Sequence, residues 1–382
     1  MRIGIDCRAY GPSHGYMGRY IEHLVSCLIE NEGTDEYVLF FGEREWSDFT
    51  MKSPRFRTVK TSAKIGGLRE QILFPYELSK EKLDLMLFSS PNIPLFYFGK
   101  SIIILSDLVS YFYPEKRLKG IWMRYWQSLI LRQSIQKSSS IIVFSEVLKR
   151  DIIEISDTHE EKIRIIPPMC LDIIPQSETE AKQFLSKEGL DREYILSVGE
   201  LREYKNIPRL LQAYSLLLKE DNIDIDLVLV GKEDSTYHEI RSTLISLGLQ
   251  SRVHIYNVLD EDKIGYLYQN ASLYILPSLY EGSEEAVLTP LSYGLPIASS
   301  SLPCIIAALG KNGATFFRPM SIPEMKEALR KSFSSSSPKG GKTDMSMYSL
   351  SSVSAKILDI FSLYRKDTDT EMPPISEEKT NL

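Results

Sequence analysis

Two charged side chains follow apolar segments of the kind that form buried strands. Lys205 comes after the segment 194–198 and a short loop, and Glu281 comes after the segment 273–276. Open α/β sheets bind their ligands at the carboxyl ends of the strands. A lysine there can neutralise a departing phosphate, and a carboxylate can accept hydrogen bonds from neighbouring hydroxyl groups. The lysine predicts contact with a phosphorylated ligand and the glutamate a binding role beside it, with a solvated loop lysine and a surface glutamate as the alternatives.

Short apolar segments that alternate with helical patterns must position these residues. A first strand at 3–7 leads through the turn-forming loop 11–15 into an amphipathic helix at 18–30. The further strands are expected at 37–41, 83–88, 101–105, 141–144, 194–198, 226–230, 253–256, 273–276, 296–299 and 314–317. Because strands alternating with helices form parallel sheets covered on both faces, the expected fold class is α/β with two doubly wound Rossmann-like domains.

Length and composition restrict the class of protein. A chain of 382 residues, 43% hydrophobic and 25% charged, is typical of a globular protein with about two domains. The net charge of -6 provides no basic field, so nucleic acid is not an expected partner. The four cysteines lie far apart, match no zinc-site spacing and suit a reducing, cytoplasmic location. No signal peptide is recognisable, and charges interrupt the most apolar stretch, so buried strands are favoured over a membrane span.

Composition also predicts the domain boundaries. Residues 1–172 form the first Rossmann-like domain, 173–190 a linker and 191–333 the second domain. The segment 334–346 begins with the low-complexity run SSSSPKGGK and is expected to be flexible. Apolar residues at helical spacing predict a last helix within 347–365, and the polar tail 366–382 is expected to be disordered.

The order of motifs along nearly the whole chain resembles family 4 of the retaining glycosyltransferases, also called glycosyl transferases group 1. The motifs are Gly15-Tyr16-Met17-Gly18-Arg19-Tyr20, Ser89-Ser90-Pro91-Asn92, Ser106-Asp107-Leu108, Ser145-Glu146, Val198-Gly199, Lys205-Asn206, Val230-Gly231-Lys232, Pro277-Ser278-Leu279-Tyr280-Glu281-Gly282 and Gly294-Leu295-Pro296. The resemblance implies the GT-B architecture, in which two Rossmann-like domains face each other across a cleft. It further implies that the first domain binds the acceptor, that the second binds the donor, and that the last helix returns to the first domain.

The resemblance also implies roles for residues at matching positions. Lys205 and Glu281 are the expected catalytic residues, the first stabilising a leaving diphosphate and the second positioning the donor sugar. Thr289 would contact the nucleotide ribose. The other residues assigned to substrate or donor binding are Gly18, Arg19, Ser106, Asp107, Gly199, Arg202, Asn206, Lys232, Gly282 and Ser283. No metal or other cofactor is expected, since cations and helix N-termini neutralise the diphosphate in this family.

The implied activity is the retaining transfer of a hexose, mannose or a similar sugar, from a nucleotide diphosphate sugar. The acceptor would be a hydroxyl group of a glycan or lipid-linked saccharide, in the synthesis of cell-surface polysaccharide or lipopolysaccharide. The expected location is cytoplasmic, either free or peripheral to the inner face of the membrane. The peripheral alternative rests on an aromatic stripe, Ile121-Trp122, Tyr125-Trp126 and Leu129-Ile130, with basic neighbours. A helix packed on the first sheet explains the same stripe and is favoured.

The donor motif departs from the family pattern at three places. Thr289 stands where a second glutamate usually binds the ribose, and the lost charge-assisted contact is worth on the order of 1 to 3 kcal/mol. Ser283, Glu284 and Glu285 replace a glycine-rich loop, and Ser106 replaces a histidine. Ser283 is expected to cap the following helix, and both carboxylates must face solvent if a diphosphate binds normally.

These departures leave a second hypothesis open, namely a catalytically weakened relative that acts as a binding or complex-forming subunit. A sugar-nucleotide epimerase or a phosphorylase on the same fold ranks last, because the residues typical of those enzymes are not evident.

Overall fold

The computed structural model describes residues 1–49, 53–114, 121–170, 177–221, 223–233, 237–257, 259–333 and 343–365. The side chains of residues 47, 48, 68 and 121–124 are outside this description. The predicted disordered tail 366–382 lies outside it, as do 334–342 of the predicted flexible segment and 173–176 of the predicted linker.

Seven strands form the first sheet, in the order β3-β2-β1-β4-β5-β6-β7. Their bounds are β1 Arg2–Cys7, β2 Glu36–Phe41, β3 Phe56–Lys60, β4 Leu85–Phe88, β5 Ser101–Leu105, β6 Ser140–Val143 and β7 Ile163–Ile165. The described pairings are parallel, and Ile5 of β1 lies opposite Leu39 of β2 and Leu87 of β4. Both faces of the central strands are buried, as a parallel sheet covered by helices requires.

Helices connect the strands of the first sheet. They are α1 Gly15–Glu30, α2 Glu43–Asp48, α3 Leu68–Lys80, α4 Val109–Phe112, α5 Ile121–Lys137 and α6 Glu146–Ser156. The helix α1 buries Tyr20, Ile21, Leu24, Val25 and Leu28 on one side, which is the apolar spacing that predicts it.

Six strands form the second sheet, in the order β10-β9-β8-β11-β12-β13. The strands are β8 Tyr194–Val198, β9 Asp226–Val230, β10 Val253–Tyr256, β11 Leu273–Leu276, β12 Ile297–Ser300 and β13 Thr315–Phe317. The helices after β7 are α7 Glu178–Lys187, α8 Ile207–Asp221, α9 Tyr237–Ser246, α10 Glu261–Asn270, α11 Glu285–Ser292, α12 Pro303–Leu309, α13 Ile322–Ser332 and α14 Leu350–Leu363. All described pairings in this sheet are parallel.

Alternate residues of the second sheet enter two separate cores. Ile195 of β8 packs in the core that contains Leu211 of α8 and Leu329 of α13. The next residue, Leu196, packs in the other core, together with Val287 of α11. Successive side chains of a strand point to opposite faces, so helices cover both sides of this sheet. Both sheets are therefore doubly wound, and the predicted α/β class is confirmed.

The chain divides into two compact units. Unit 1 comprises Met1–Ile103 and Leu350–Leu382, and unit 2 comprises Ile104–Ser349. Within unit 1, α14 packs against α1. The domain boundaries drawn from the sequence at 172 and 191 stay predictions.

Candidate functional site

The second sheet has a point where the chain reverses its direction of winding. From β8 the chain moves outward to β9 and β10, and then returns to the other side of β8 to form β11, β12 and β13. Ligands of open α/β sheets bind outside the carboxyl ends of the strands at such a switch point. The loops that leave β8 and β11, residues 199–206 and 277–284, meet there and contain both predicted catalytic residues.

Lys205 and Glu281 form a buried ion pair at this point. The Lys205 Nζ atom lies 2.6 Å from Glu281 Oε1, and the Ser278 hydroxyl donates a hydrogen bond of 2.5 Å to the same oxygen. Burial is the largest single influence and works to lower the pKa of Lys205, but the charge and hydrogen bond of Glu281, together with Tyr204 and Glu285, outweigh it, so the net pKa of Lys205 is raised. The lysine is therefore cationic at neutral pH and available to an anionic ligand.

The loop after β8 is shaped to bring Lys205 to the site. Gly199 has a φ of +150°, and a Cβ atom there would lie 3.1 Å from Lys205 Cε. Asn206 adopts a left-handed conformation with φ 58°, and its amide nitrogen donates to the Pro277 and Pro319 carbonyl oxygens at 3.0 and 2.8 Å. Its amide oxygen accepts a bond of 2.9 Å from Arg209. Asn206 therefore ties together the loops that surround the site.

The segment Glu281-Gly282 is held against residues of the first sheet that belong to the same compact unit. A Cβ atom on Gly282 would lie 2.5 Å from the Ser106 carbonyl oxygen and 2.7 Å from Asp107 Cα. The Ser145 hydroxyl donates a hydrogen bond of 2.6 Å to the Gly282 carbonyl oxygen, and it accepts one of 3.0 Å from the Leu148 N–H. Only glycine permits this close approach, and Ser145 fixes it while capping α6.

Asp107 brings a second carboxylate close to the ion pair. Its Oδ1 atom accepts a 2.8 Å bond from the Val109 N–H, and the Ser106 hydroxyl donates to Oδ2 at 3.2 Å. Although part of the side chain is open to solvent, crowding by protein atoms raises the pKa of Asp107, and the charges of Glu281 and Glu200 act in the same direction. The structure thus places Lys205, Glu281, Gly282, Ser106 and Asp107 together.

The start of α11 differs from the prediction at two positions. Glu284, and not Ser283, is the N-cap residue, and the Ser283 hydroxyl accepts a long hydrogen bond of 3.4 Å from the Glu285 N–H. Normal binding of a diphosphate was expected to require that Glu284 faces solvent, but Glu284 is only 7% exposed. This condition is not met, because the Glu284 carboxylate accepts a hydrogen bond of 3.1 Å from the buried Tyr348 hydroxyl. That tyrosine is distant in the sequence.

The structure also describes the surroundings of the remaining predicted binding residues. Arg202 pairs with Glu200 at 3.2 Å, Lys232 is exposed beyond the end of β9, and Thr289 is half-buried within α11. Gly18 and Arg19 lie on α1 in unit 1, where a Cβ atom on Gly18 would be 2.1 Å from the Gly11 carbonyl oxygen. Gly18 therefore permits close packing of the glycine loop on α1. The binding roles assigned to these residues stay predictions.

Three residues of the site had no role assigned from the sequence. Ser278 and Ser145 support Glu281 and Gly282, and the Tyr280 hydroxyl donates a bond of 3.1 Å to Asp151. Each of the three residues belongs to, or lies next to, a motif on which the family resemblance rests. This position in or beside a motif was the signal by which the sequence could have revealed them.

The described parts of the chain contain no group of three or more His, Cys, Asp or Glu side chains arranged to hold a metal ion. In the same residues, no helix has both the length and the apolar character needed to cross a bilayer.

Two doubly wound α/β sheets with a charged pair at a switch point define the Rossmann-like class of ligand-binding enzymes. Solved structures of other proteins share this fold over almost the full chain. The Anabaena protein Alr3699/HepE, solved with UDP and glucose, has a TM-score of 0.73 at 12% identity and covers 95% of this chain and 100% of its own. WaaG, a glycosyltransferase involved in lipopolysaccharide biosynthesis, has a TM-score of 0.67 at 17% identity, covering 96% and 98%.

Residues 178–344, less than half of the chain, match the family model described as glycosyl transferases group 1, and this match confirms the resemblance drawn from the motifs. The O-antigen chain mannosyltransferase B of Escherichia coli is 26% identical over 231 residues, which are 59% of this chain and 60% of the relative. The chain therefore spans less than two thirds of the length of that curated relative.

Proposed function

We propose that this protein is a retaining hexosyltransferase that moves mannose or a similar hexose from a nucleotide diphosphate sugar to a hydroxyl group of a glycan or lipid-linked saccharide. The family match and the mannosyltransferase relative support the reaction class. The observation that carries the proposal is the buried Lys205–Glu281 pair at the switch point of the second sheet. One member suits a diphosphate and the other suits sugar hydroxyl groups.

Donor binding would exchange the partners of this pair. A diphosphate next to Lys205 offers the ammonium group two negative charges in place of one carboxylate, which is now 2.6 Å away. Glu281, released from the lysine and still bound by Ser278, would accept hydrogen bonds from the donor sugar. Ser145 would keep Gly282 and the carboxylate next to it in position during this exchange.

The residues of the chain would also supply the charge stabilisation for departure of the diphosphate. Lys205 and the N-terminus of α11 neutralise negative charge without a metal ion in this proposal. Retention would follow from attack on the face from which the diphosphate departs. The departing phosphate itself would accept the proton of the acceptor hydroxyl, so no protein nucleophile is assigned.

A second candidate function is that of a binding subunit with weakened catalysis. Thr289 occupies the position of the expected ribose-binding glutamate, and the buried Glu284 places a further acid beside the site. Under this alternative the protein binds nucleotide sugars but does not transfer the hexose.

A transfer assay separates the two candidates. Purified protein is incubated with GDP-mannose or UDP-glucose and an acceptor glycan, and the products are identified by mass spectrometry. We expect transfer by the natural protein and a loss of about 100-fold in kcat for Glu281→Gln, which keeps the side-chain shape but not the charge. Glu239→Gln, on the exposed first turn of α9, is the matched control and should retain full activity. Transfer by Glu281→Gln at the natural rate would refute the assignment of Glu281, and nucleotide binding without transfer would favour the binding subunit.

The same proposal includes contact with the inner face of a membrane, where lipid-linked acceptors lie. The helix α5 exposes Tyr125, Trp126 and Leu129 to 60%, 44% and 41%, together with Arg132. These side chains were expected to pack on the first sheet, and for these three the expectation is wrong. Three basic neighbours of the stripe, Lys116, Arg117 and Lys119, lie outside the described residues. An aromatic and basic helix face suits an anionic lipid surface.

A further inference from the structure

Three consecutive aromatic residues follow the strand β5 in unit 2. Tyr111 and Phe112 end α4, and Tyr113 comes directly after it. Phe112 is 43% exposed, and the two tyrosines are half-buried. The Tyr111 and Phe112 rings meet edge to face, with their centroids 5.3 Å apart. Aromatic rings gain free energy when they are buried, so a cluster that stays open to solvent indicates a surface for a ligand.

Two of these rings pack against the residues that precede the members of the ion pair. The Phe112 ring centroid lies 5.1 Å from that of Tyr280, which comes directly before the glutamate of the pair. The Tyr113 ring centroid lies 6.1 Å from that of Tyr204, which comes directly before the lysine. The Lys205 Nζ atom is itself 5.1 Å from the centre of the Tyr204 ring. The aromatic segment therefore contacts both loops that form the candidate site.

Carboxylates lie beside these rings. Burial raises the pKa of Tyr280, and the charges of Asp151 and Asp107 add to this effect. Burial and, after it, the charge of the exposed Glu203 raise the pKa of Tyr113. Hydrogen-bond acceptors thus border the aromatic surface. An acyl chain would remove water from these carboxylates without replacing its hydrogen bonds, and a phosphate group would be repelled by their charges.

A neutral hexopyranose suits both parts of this surface. One face of the sugar ring presents C–H groups, which the partly negative face of an aromatic ring attracts. The edge of the sugar ring has hydroxyl groups, which donate hydrogen bonds to carboxylates. In the proposed reaction, Lys205 and Glu281 already account for the diphosphate and the hexose of the donor. The aromatic rings are therefore available to the other substrate, the acceptor.

We propose that Tyr111, Phe112 and Tyr113 form a binding surface for the acceptor, on which a neutral hexopyranose of the acceptor stacks through its C–H face. The acceptor is then recognised by a sugar ring and not by a lipid chain or a phosphate group. Because the rings contact Tyr204 and Tyr280, a sugar bound there lies next to the ion pair. This inference rests on the proposed function, since the sugar is an acceptor only if a donor binds at that pair.

Saturation-transfer NMR with simple sugars tests the proposal. The probes are methyl α-mannopyranoside, methyl β-glucopyranoside and methyl β-galactopyranoside, which have the pyranose ring but neither lipid nor phosphate. Titration gives the Kd of each sugar, and the pattern of saturation shows which of its protons approach the protein. Calorimetry with UDP, GDP and dTDP on the same samples reports separately on the donor site.

The variants separate the aromatic ring from its apolar bulk. Phe112→Ala removes the ring, Phe112→Leu keeps an apolar side chain without an aromatic face, and Phe112→Trp keeps an aromatic face. Tyr113→Ala removes the ring that contacts the loop of Lys205. Phe98→Ala, which removes a ring that is 83% exposed in unit 1, is the matched control.

We expect saturable binding of at least one sugar to the natural protein and to Phe98→Ala, with the strongest saturation on the C–H protons of one ring face. Phe112→Ala and Tyr113→Ala should each raise the Kd of that sugar at least about tenfold. Phe112→Leu should raise it several-fold, and Phe112→Trp should keep it within about threefold of the natural value. The Kd of the bound nucleotide should stay unchanged in all variants.

Three results would decide against these expectations. Equal sugar affinity of Phe112→Ala and the natural protein, or absence of sugar binding by a protein that binds a nucleotide, overturns the inference and leaves the proposed function standing. Equal weakening of sugar and nucleotide binding in Phe112→Ala assigns the ring to the donor site and also overturns the inference. If no nucleotide binds to the natural protein, the proposed function falls, and the inference with it.

Discussion

A cluster of buried charged residues stabilises the fold of unit 1. The Arg8 guanidinium donates to both Asp6 carboxylate oxygens at 2.8 Å and forms an ion pair with Glu70 at 2.8 Å. It also donates to the Ala63 carbonyl oxygen at 3.1 Å and lies 3.9 Å from the centre of the Phe74 ring. One buried cation thus balances two buried carboxylates at the carboxyl end of β1.

Replacing Arg8 should therefore destabilise unit 1 strongly. Arg8→Met fills similar space but leaves Asp6 and Glu70 buried without a cation, a change that costs about 3 to 5 kcal/mol. Urea unfolding followed by circular dichroism measures the free energy of unfolding. Arg69→Met, on the exposed surface of α3, is the control and should change it by less than about 0.5 kcal/mol. A loss below about 1 kcal/mol for Arg8→Met would show that the cluster does not depend on its cation.

The helix α5 is the element whose surface differs most from the expectation. Leu131, Ser134 and Ile135 of this helix are buried, whereas the aromatic residues Tyr125 and Trp126 are exposed. The spacing of the apolar residues could not show which side of α5 is buried, because the stripe at 121–130 and the buried residues lie next to each other on the helix.

Exposed aromatic residues on α5 should make binding to anionic vesicles measurable. Co-sedimentation with vesicles of phosphatidylglycerol and phosphatidylcholine should retain the natural protein, and Trp126→Ala should lower the bound fraction several-fold. Phe98→Ala removes an aromatic residue that is 83% exposed in unit 1, and it should bind as the natural protein does. Equal binding by Trp126→Ala and the natural protein would exclude α5 as the contact surface.

Across the two sheets, sequence patterns were sufficient to predict the strands that are buried along most of their length. The strands β8, β9 and β11 were predicted with their observed bounds, because nearly all of their residues are apolar and buried. The strand β10 was also predicted with its observed bounds, although it lies at an edge of the second sheet and is only partly buried. The strands β3 and β7 were not predicted. Both lie at the edges of the first sheet, where the short run of β7 and the charged, partly exposed residues of β3 weaken the pattern.

The candidate site was likewise predictable from the sequence only in part. Lys205 and Glu281 could be placed together because each follows a strand, and parallel strands of one sheet end at one edge. The burial of Glu284 could not be foreseen, because it depends on Tyr348, a contact across 64 positions of the chain. Local spacing contains no signal for such a contact.

Lys205 and Glu281 must form a site for nucleotide diphosphates if the proposed function is right, and a binding titration tests this claim. Calorimetry with UDP, GDP and dTDP should give saturable binding of at least one of them to the natural protein. Lys205→Gln should weaken that binding by about 10- to 100-fold, because a charge-assisted contact to the diphosphate becomes a neutral one. Lys219→Gln, at the exposed end of α8, should bind as the natural protein does. Absence of binding to all three nucleotides at millimolar concentration, or equal affinity of Lys205→Gln and the natural protein, would contradict the claim.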